Sequence, residues 1–416
     1  MNAAVRSAPA SFAQRQFWLL DRLTGGHPVY NAPRRYHLTG PLDVPVLERA
    51  LEEIARRHET LRTRLPERKG EPIQEILPAS SLHIPVVDLT AQGDATRDRL
   101  AAFERAESRR AFDLATEPPW RASLARLGPT EHVLFLTFHH VVFDGWSRLV
   151  LEKELAALYK AFVSGEPWPL GDLPVQYADY AAWEYERLSG DLLERLLAYW
   201  QEQLSELPFV ELPTDRQRPP RASFDGARHQ FEVPVKLAHR VRSFAASQKA
   251  TPFMTLMALF QALVSRLTGL DDVPVGCPTS GRTMPGTEAL IGCFINPVVV
   301  RGDLSGNPTF KELLGRTRQR TIQALSHAEL RFELLVLKLR PERVQGVNPL
   351  FQVLFQLRTF PRTPMEMLPG LTVESGFVDT GGATVDQAWS LNTYGDCFAA
   401  EVDYDTALFD ESTVRR

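Results

Sequence analysis

Two adjacent histidines, His139 and His140, close a run of apolar residues and are followed by Asp144. The run from Val133 to Phe138 has the length and the β-branched and aromatic content of a mostly buried strand. Successive side chains of a strand point to opposite faces, so the two histidines cannot both face one cavity. We therefore expect different roles for the two rings.

Three readings of this group are open from residue types alone. The histidines and Asp144 could be satisfied polar groups at a strand end and an Asp-Gly turn. A metal site would need a third ligand, and the opposed directions of His139 and His140 argue against it. An imidazole with a pKa near about 6.5 suits removal of a proton from an attacking amine or hydroxyl at neutral pH. A strand end, a turn and a helix start coincide here, which favours one histidine as general base or proton shuttle.

Composition excludes several classes of protein. The 416 residues are 44% hydrophobic and 24% charged with a net charge of −4, so nucleic acid is not an expected partner. The three cysteines are scattered without a CxxC pair, which predicts neither disulfides nor a zinc framework. No apolar run approaches the roughly 20 residues of a membrane span, and the N-terminus lacks the apolar core of a signal peptide. A cytoplasmic protein that does not enter a membrane is predicted.

Helices and strands alternate along the whole chain, which predicts an α+β protein. Ser11 and Asp43 are predicted N-caps of two helices with apolar spacing, and a long helix is predicted from Arg148 to about Phe162. Glycines and prolines crowd between Gly165 and Pro174, the best linker candidate. We therefore predict two domains, residues 1–172 and 173–416. Further predicted strands are 228–233, 273–278, 294–301, 347–358, 373–377, 389–392 and 398–404, and further helices are 237–249, 252–269, 309–325 and 332–340.

The segment HHVVFDGWS resembles the HHxxxDG signature of nonribosomal peptide synthetase condensation domains. The resemblance extends over the whole chain, in the order of the family's motifs. The matching segments are SFAQRQFWLL, RRHETLRTRL, the HHxxxDG motif itself, YADYAAW, IGCFINP, HAELRFELL and VNPLFQVLFQ. Seven ordered matches are very specific for this family.

The resemblance implies two lobes like chloramphenicol acetyltransferase, forming a V-shaped pseudo-dimer with a tunnel at the junction and crossovers of the floor-loop and latch type. It implies amide (peptide) bond formation between a donor acyl or peptidyl thioester and the amine of an aminoacyl acceptor. Both substrates would be carried on phosphopantetheine by partner carrier domains, one upstream and one downstream, beside an adenylation domain. No cofactor or metal bound by this chain is implied, and Gly381-Gly382-Ala383-Thr384 does not complete an LGGxS carrier motif.

The family pattern also implies roles for single residues. His140 matches the catalytic histidine that faces the tunnel, and His139 and Asp144 match structural positions. Asp144 is expected to pair with an arginine, for which Arg62 in HETLRT is the candidate. Gly145 is expected to keep the backbone close to the reacting centre, where a side chain would intrude.

Two further positions, Trp146 and Ser147, follow at the predicted helix start. They are candidates for oxyanion stabilisation or tunnel lining, and packing is at least as good an account of Trp146. Whether His140 accepts the proton of the amine or positions it and stabilises the developing charge is left open.

Departures from the family pattern include Asn296-Pro297, where Asn-Thr is usual, and Arg331, where proline is usual. The segments YNAP, RHETLRT and IGCF are closest to the group that joins two L-residues. Two alternatives remain, an ester-forming stand-alone acyltransferase of the same fold and a non-catalytic module that docks carrier proteins. The helix start at Asp410 completes no apolar face, which is expected of a module cut from a longer polypeptide.

Overall fold

A computed structural model describes residues 5–90, 94–167, 169–340, 347–360, 368–395 and 397–416. The helices are α1 Phe12–Leu23, α2 Val44–Arg57, α3 Asp94–Arg109, α4 Gly145–Ser164, α5 Tyr177–Arg187, α6 Gly190–Gln203, α7 Val235–Ser247, α8 Pro252–Thr268, α9 Phe310–Ser326, α10 Phe332–Leu339 and α11 Glu411–Arg415. The strands are β1 Arg6–Pro9, β2 Asn31–Thr39, β3 Thr63–Arg64, β4 Glu67–Arg68, β5 Glu71–Ile76, β6 Val86–Asp88, β7 Trp120–Gly128, β8 Glu131–His139, β9 Gly226–Val233, β10 Asp272–Thr279, β11 Asn296–Asp303, β12 Val353–Phe360, β13 Thr372–Phe377, β14 Gln387–Tyr394 and β15 Cys397–Asp405. The predicted α+β class is confirmed.

Polar side chains begin the first two helices at the predicted positions. Ser11 accepts a hydrogen bond from the Gln14 backbone N–H, and the Gln14 side chain accepts from the Ser11 N–H in return. Asp43 accepts from the Val46 N–H at the start of α2. Each bond satisfies a backbone donor that the first turn of a helix leaves without a partner.

Two compact units divide the chain, and neither is continuous in sequence. The first comprises Met1–Leu188, Arg282–Ile295 and Pro364–Thr380, and the second comprises Ser189–Gly281, Asn296–Thr363 and Gly381–Arg416. The division after Leu188 differs from the boundary predicted after residue 172. Helix α5, which lies beyond the Gly- and Pro-rich stretch, belongs to the first unit.

Hydrogen bonds explain why α5 stays with the first unit. The Phe12 N–H at the start of α1 donates to the Glu184 carboxylate (2.9 Å), and the Tyr185 hydroxyl donates to the Ala10 carbonyl (2.9 Å). These bonds join residues more than 170 positions apart, so a local accumulation of glycine and proline could not reveal them.

The main sheet of the first unit has the strand order β13-β2-β8-β7-β6, and β6 and β7 are its parallel pair. Strand β8 is covered on both faces. Its residues Leu134, Leu136 and Phe138 pack into a core with helices α2 and α4, whereas Val133 and Phe135 pack beside α3. Burial on both faces is why β8 reads as an unbroken apolar run, and the predicted strand is confirmed.

The sheet of the second unit has the order β11-β10-β12-β14-β15-β9. Helix α8 packs on it, with the Phe260 ring 5.3 Å from Phe355 on β12 and 5.6 Å from Trp389 on β14. Among the described residues no single helix is long and apolar enough to cross a bilayer. Helices α7 and α8 reach that length only as a pair, and a bend of 105° separates them.

A glycine in β10 is required by packing inside the second unit. A Cβ added at Gly276 would lie 2.4 Å from ring atoms of Phe351, closer than carbon atoms can approach. We expect Gly276→Ala to lower the free energy of unfolding by about 1–3 kcal/mol, the usual effect of overpacking. Urea unfolding would measure the loss.

The matched control for Gly276→Ala is Gly315→Ala in the interior of α9, where an added Cβ meets nothing within 4 Å. That substitution should stabilise the chain by about 0.5–1 kcal/mol, because alanine favours a helix over glycine. Equal effects of the two substitutions would contradict the packing argument.

Candidate active site

The two histidines occupy different environments at the end of β8. His139 is 2% exposed, and its Nδ1 accepts a hydrogen bond from the Val141 backbone N–H (3.1 Å). Burial, together with the neighbouring His140, lowers the pKa of His139 to about 3. His139 is therefore neutral at physiological pH and is enclosed by protein.

His140 is half-buried, and its orientation is set by a backbone carbonyl. Its Nδ1 lies 3.0 Å from the Phe143 oxygen. A carbonyl oxygen only accepts, so Nδ1 carries the hydrogen and the neutral ring has its lone pair on Nε2. The ring of Phe17 stacks on the imidazole with centroids 5.6 Å apart. The two rings do differ in burial, but strand alternation is not the reason, because β8 ends at His139 and His140 begins a short 3-10 turn, His140–Val142.

Asp144 lies at the start of α4 and is 4% exposed. Its Oδ1 accepts from the Ser147 backbone N–H (2.8 Å), and its Oδ2 accepts from the Phe294 N–H (3.1 Å). The Arg282 guanidinium donates to Oδ1 from 3.0 Å. A carboxylate buried to this degree is stable only when it is paired and hydrogen-bonded, as it is here.

Arg62 was the wrong candidate for the arginine that pairs with Asp144. Its guanidinium donates to the Leu77 carbonyl and forms an ion pair with Glu59. These partners lie on its own stretch of chain and hold it there. The partner of Asp144 is Arg282, which comes from a segment 138 positions later.

Arg282 is fixed on several sides. It donates to the Leu290 carbonyl (2.9 Å) and to the Thr287 carbonyl, and its guanidinium lies 4.0 Å from the Phe294 ring centroid. Burial lowers the pKa of Arg282, and the negative charge of Asp144 opposes that shift. The pair joins α4 to residues 282–295 within the first unit.

Ser147 and Trp146 do not present the donors that oxyanion stabilisation would require. Ser147 is fully buried, and its hydroxyl oxygen lies 2.7 Å from Asp144 Oδ1 and 2.8 Å from the Gly292 carbonyl. The Trp146 indole N–H donates to the Glu288 carbonyl (2.9 Å). Ser147 is therefore a structural residue, whereas the Trp146 ring, 44% exposed, remains a predicted lining group.

Gly145 is not required by protein packing. A Cβ added there would meet no atom within 4 Å, so the space beside this glycine is open. Gly292, by contrast, would place a Cβ 2.3 Å from the Tyr177 ring. Protein packing would thus accept a side chain at position 145, and only a molecule bound in the open space could require glycine there.

Sequence reasoning missed two polar residues that hold the 282–295 segment. His58 Nδ1 accepts from the Ile291 N–H (3.2 Å), so its Nε2–H donates to Glu154 (2.8 Å). The Tyr177 hydroxyl donates to the Cys293 carbonyl. Both residues lie in segments that match the family's motifs, but one sequence carries no signal of their partners. Among the described residues, no three His, Cys, Asp or Glu side chains group as metal ligands.

The ion pair leads to a stability prediction. Arg282→Met leaves the Asp144 carboxylate buried without its cation, and we expect a loss of about 3–5 kcal/mol in the free energy of unfolding. Arg62→Met removes a partly exposed pair with Glu59 and a hydrogen bond to the Leu77 carbonyl, and should lose about 1–2 kcal/mol. Chemical denaturation of both variants tests this, and equal losses would contradict the assignment of Arg282 as the partner.

Known proteins resemble this chain over nearly its whole length. The family model described as Condensation domain matches residues 5–416. A linear gramicidin synthase of Brevibacillus parabrevis is 41% identical over 414 residues, which cover 98% of this chain and 5% of that protein. The chain thus spans a small part of this much longer relative.

Two solved structures are similar over nearly the whole chain. The X-domain in its complex with OxyB from teicoplanin biosynthesis is 28% identical with a TM-score of 0.89, covering 100% of this chain and 92% of that chain. SgcC5 from Streptomyces globisporus is 28% identical with a TM-score of 0.81, covering 98% and 95%. With its HHVVFDG segment intact and the family's motifs in order, the chain belongs to the condensation domain family of nonribosomal peptide synthetases.

Proposed function

We propose that this condensation domain joins a donor acyl or peptidyl thioester to the amine of an aminoacyl acceptor, with His140 as the catalytic residue. The observation that supports this most directly is the orientation of the ring. The Phe143 carbonyl holds the Nδ1–H, which leaves Nε2 as the basic atom of the neutral imidazole. A positioned base of this kind is what transfer of an amine proton requires.

The proposed reaction conserves atoms and charge. The acceptor nitrogen attacks the thioester carbon, a C–N bond forms, and a tetrahedral oxyanion results. The amine proton passes to Nε2 of His140 and then to the thiolate that leaves when the C–S bond breaks. A second role is compatible with the same geometry, in which His140 positions the amine and its positive form stabilises the oxyanion.

The partners of the reaction are also proposals. Donor and acceptor would be held on phosphopantetheine by carrier domains, since the chain itself lacks the LGGxS motif. The much greater length of the gramicidin synthase relative is consistent with carrier and adenylation domains beside this one in a longer protein. We propose that the two substrates are L-residues, from the resemblance of YNAP, RHETLRT and IGCF to that group.

Two other functions have an observation in their favour. SgcC5 was solved with a diol, (R)-(-)-1-(2-naphthyl)-1,2-ethanediol, so a hydroxyl acceptor and an ester product are the second candidate. The X-domain was solved in complex with OxyB, and by analogy this chain would be a docking module. The oriented His140 and the open space at Gly145 favour catalysis over docking.

His140→Ala tests the central residue. With aminoacyl-pantetheine loaded on two carrier domains, we expect the rate of peptide transfer to fall about 10²- to 10⁴-fold, the usual contribution of a general acid–base group. The melting temperature should fall by no more than about a few degrees, because alanine loses the hydrogen bond to the Phe143 carbonyl and the stacking on Phe17 but the ring is only half-buried. His83→Ala, at a largely exposed histidine, is the matched control and should retain the full rate.

Other outcomes of the transfer assay have defined meanings. No product from the natural chain would exclude the proposed enzyme, and preference for a hydroxyl acceptor would support the ester-forming candidate. An unchanged rate in the alanine variant would remove His140 from the chemistry. Once protonation of the acceptor amine is accounted for, a base role predicts that the rate falls as the imidazole is protonated at acid pH, and a charge-stabilising role predicts that it rises.

Gly145→Ala separates stability from activity. The added methyl group meets no protein atom and replaces glycine at the first position of α4, so stability should be unchanged or up to about 1 kcal/mol higher. If the substrate uses the open space, kcat/KM should fall at least about tenfold. Thermal unfolding and the transfer assay measure the two quantities, and unchanged kcat/KM would show that the space is not used.

A further inference from the structure

Helix α1 brings one side chain to each of the two histidines. Phe17 stacks on the His140 ring, with centroids 5.6 Å apart and planes inclined by 14°. Four positions later, Asp21 places its Oδ1 3.8 Å from Nε2 of His139. Residues four apart lie on the same face of a helix, so one face of α1 contacts both rings.

The Nε2 of His139 needs a partner that the described residues do not supply at bonding distance. Because Nδ1 accepts from the Val141 N–H, the hydrogen of the neutral ring is on Nε2. This N–H is buried and makes no hydrogen bond with any described residue. Buried donors without a partner are rare in folded proteins. The Asp21 oxygen faces it from about 0.9 Å beyond the usual distance of about 2.9 Å.

We propose that Asp21 is a positioning residue for the reaction, whose carboxylate draws the His139 Nε2–H into a hydrogen bond and so sets α1, and with it Phe17, against the His140 ring. The contact acts on the base through the helix and touches no substrate. The effect on rate rests on the proposed function of His140, whereas the contact between Asp21 and His139 is independent of that function.

Burial and a neighbouring charge make the Asp21 carboxylate unfavourable in the fold. Burial raises the pKa of Asp21 to about 6, and repulsion by Asp113 adds to that shift. Burial and the charge of Asp21 likewise raise the pKa of the Tyr30 hydroxyl. The Phe112 ring contacts the His139 imidazole edge-on, and Arg121 lies over that ring, 4.1 Å from its centroid. Asp21 is thus a carboxylate without a close cation among these neighbours.

The sign of this effect on stability follows from the raised pKa of Asp21. Below the unfolded pKa of 3.8 the Asp21 carboxyl is neutral in both the folded and the unfolded chain, and its contribution to the free energy of unfolding is fully present. That contribution to stability is lost as pH rises through the folded pKa of about 6. The folded chain therefore keeps a carboxylate at neutral pH at the expense of stability.

Asp21→Asn tests the proposal by separating rate from stability. We expect kcat to fall about ten- to hundredfold with little change in KM, because the base is misplaced and substrate binding is not. The melting temperature at pH 8 should equal or exceed that of the natural chain. A residue with a merely structural role would lower both, so proportional loss of rate and stability, or an unchanged kcat, would overturn the proposal.

Two comparisons make the test specific. Asp113→Asn removes the repelling charge and should reduce the loss of stability as pH rises through about 6, while kcat is kept. Asp43→Asn removes a carboxylate at the start of α2 and should change neither kcat nor the free energy of unfolding, since asparagine caps a helix as well as aspartate does. Loss of kcat in either variant equal to that of Asp21→Asn would overturn the assignment.

A spectroscopic measurement stands apart from activity. In protein labelled with ¹⁵N-histidine, the Nε2–H resonance of His139 should shift when Asp21→Asn removes the charged acceptor. If the natural chain formed no product with any acceptor, the proposed function would fail while this spectrum still reported on the contact. A resonance that is identical in the variant would overturn the contact itself.

Discussion

The buried ion pair between Asp144 and Arg282 is the interaction on which the rest of the site depends. The Asp144 carboxylate starts α4, accepts the Phe294 N–H and pairs with the Arg282 guanidinium, so the start of α4 and the segment 282–295 meet at one charge. A buried charge that lacks one of its partners is costly, so each of these contacts depends on the others. The turn between His140 and Gly145 is fixed by that requirement.

Local chemistry predicted the elements that carry the site. The apolar run before His139 is a strand because its residues alternate between two buried faces. The two histidines differ for another reason, since the strand ends at His139 and His140 begins a 3-10 turn. Ser11 and Asp43 begin helices because their side chains satisfy backbone donors within three residues. Such signals lie within a few positions of one another, so one sequence contains them in full.

Contacts between distant segments could not be predicted in the same way. Arg282 and Arg62 are the same residue type, so the sequence alone does not show which of them pairs with Asp144. The fold determines that it is Arg282. The strand predicted from Phe294 begins instead at Asn296, because the Phe294 amide belongs to the Asp144 network. Ser147 matched an oxyanion donor by its position at a helix start, yet its hydroxyl is used inside the protein.

Strand β13 completes the sheet of the first unit with residues that lie late in the chain, where Thr372–Phe377 pairs with β2. During synthesis on a ribosome, that edge of β2 and the carboxylate of Asp144 have no partners until β13 and Arg282 have been translated. The same order constrains engineers who exchange domains between synthetases. A chimera joined near residue 172 or 188 would combine an Asp144 from one parent with the Arg282 and β13 of another, so exchange of the whole condensation domain preserves contacts that exchange of its first half would mix.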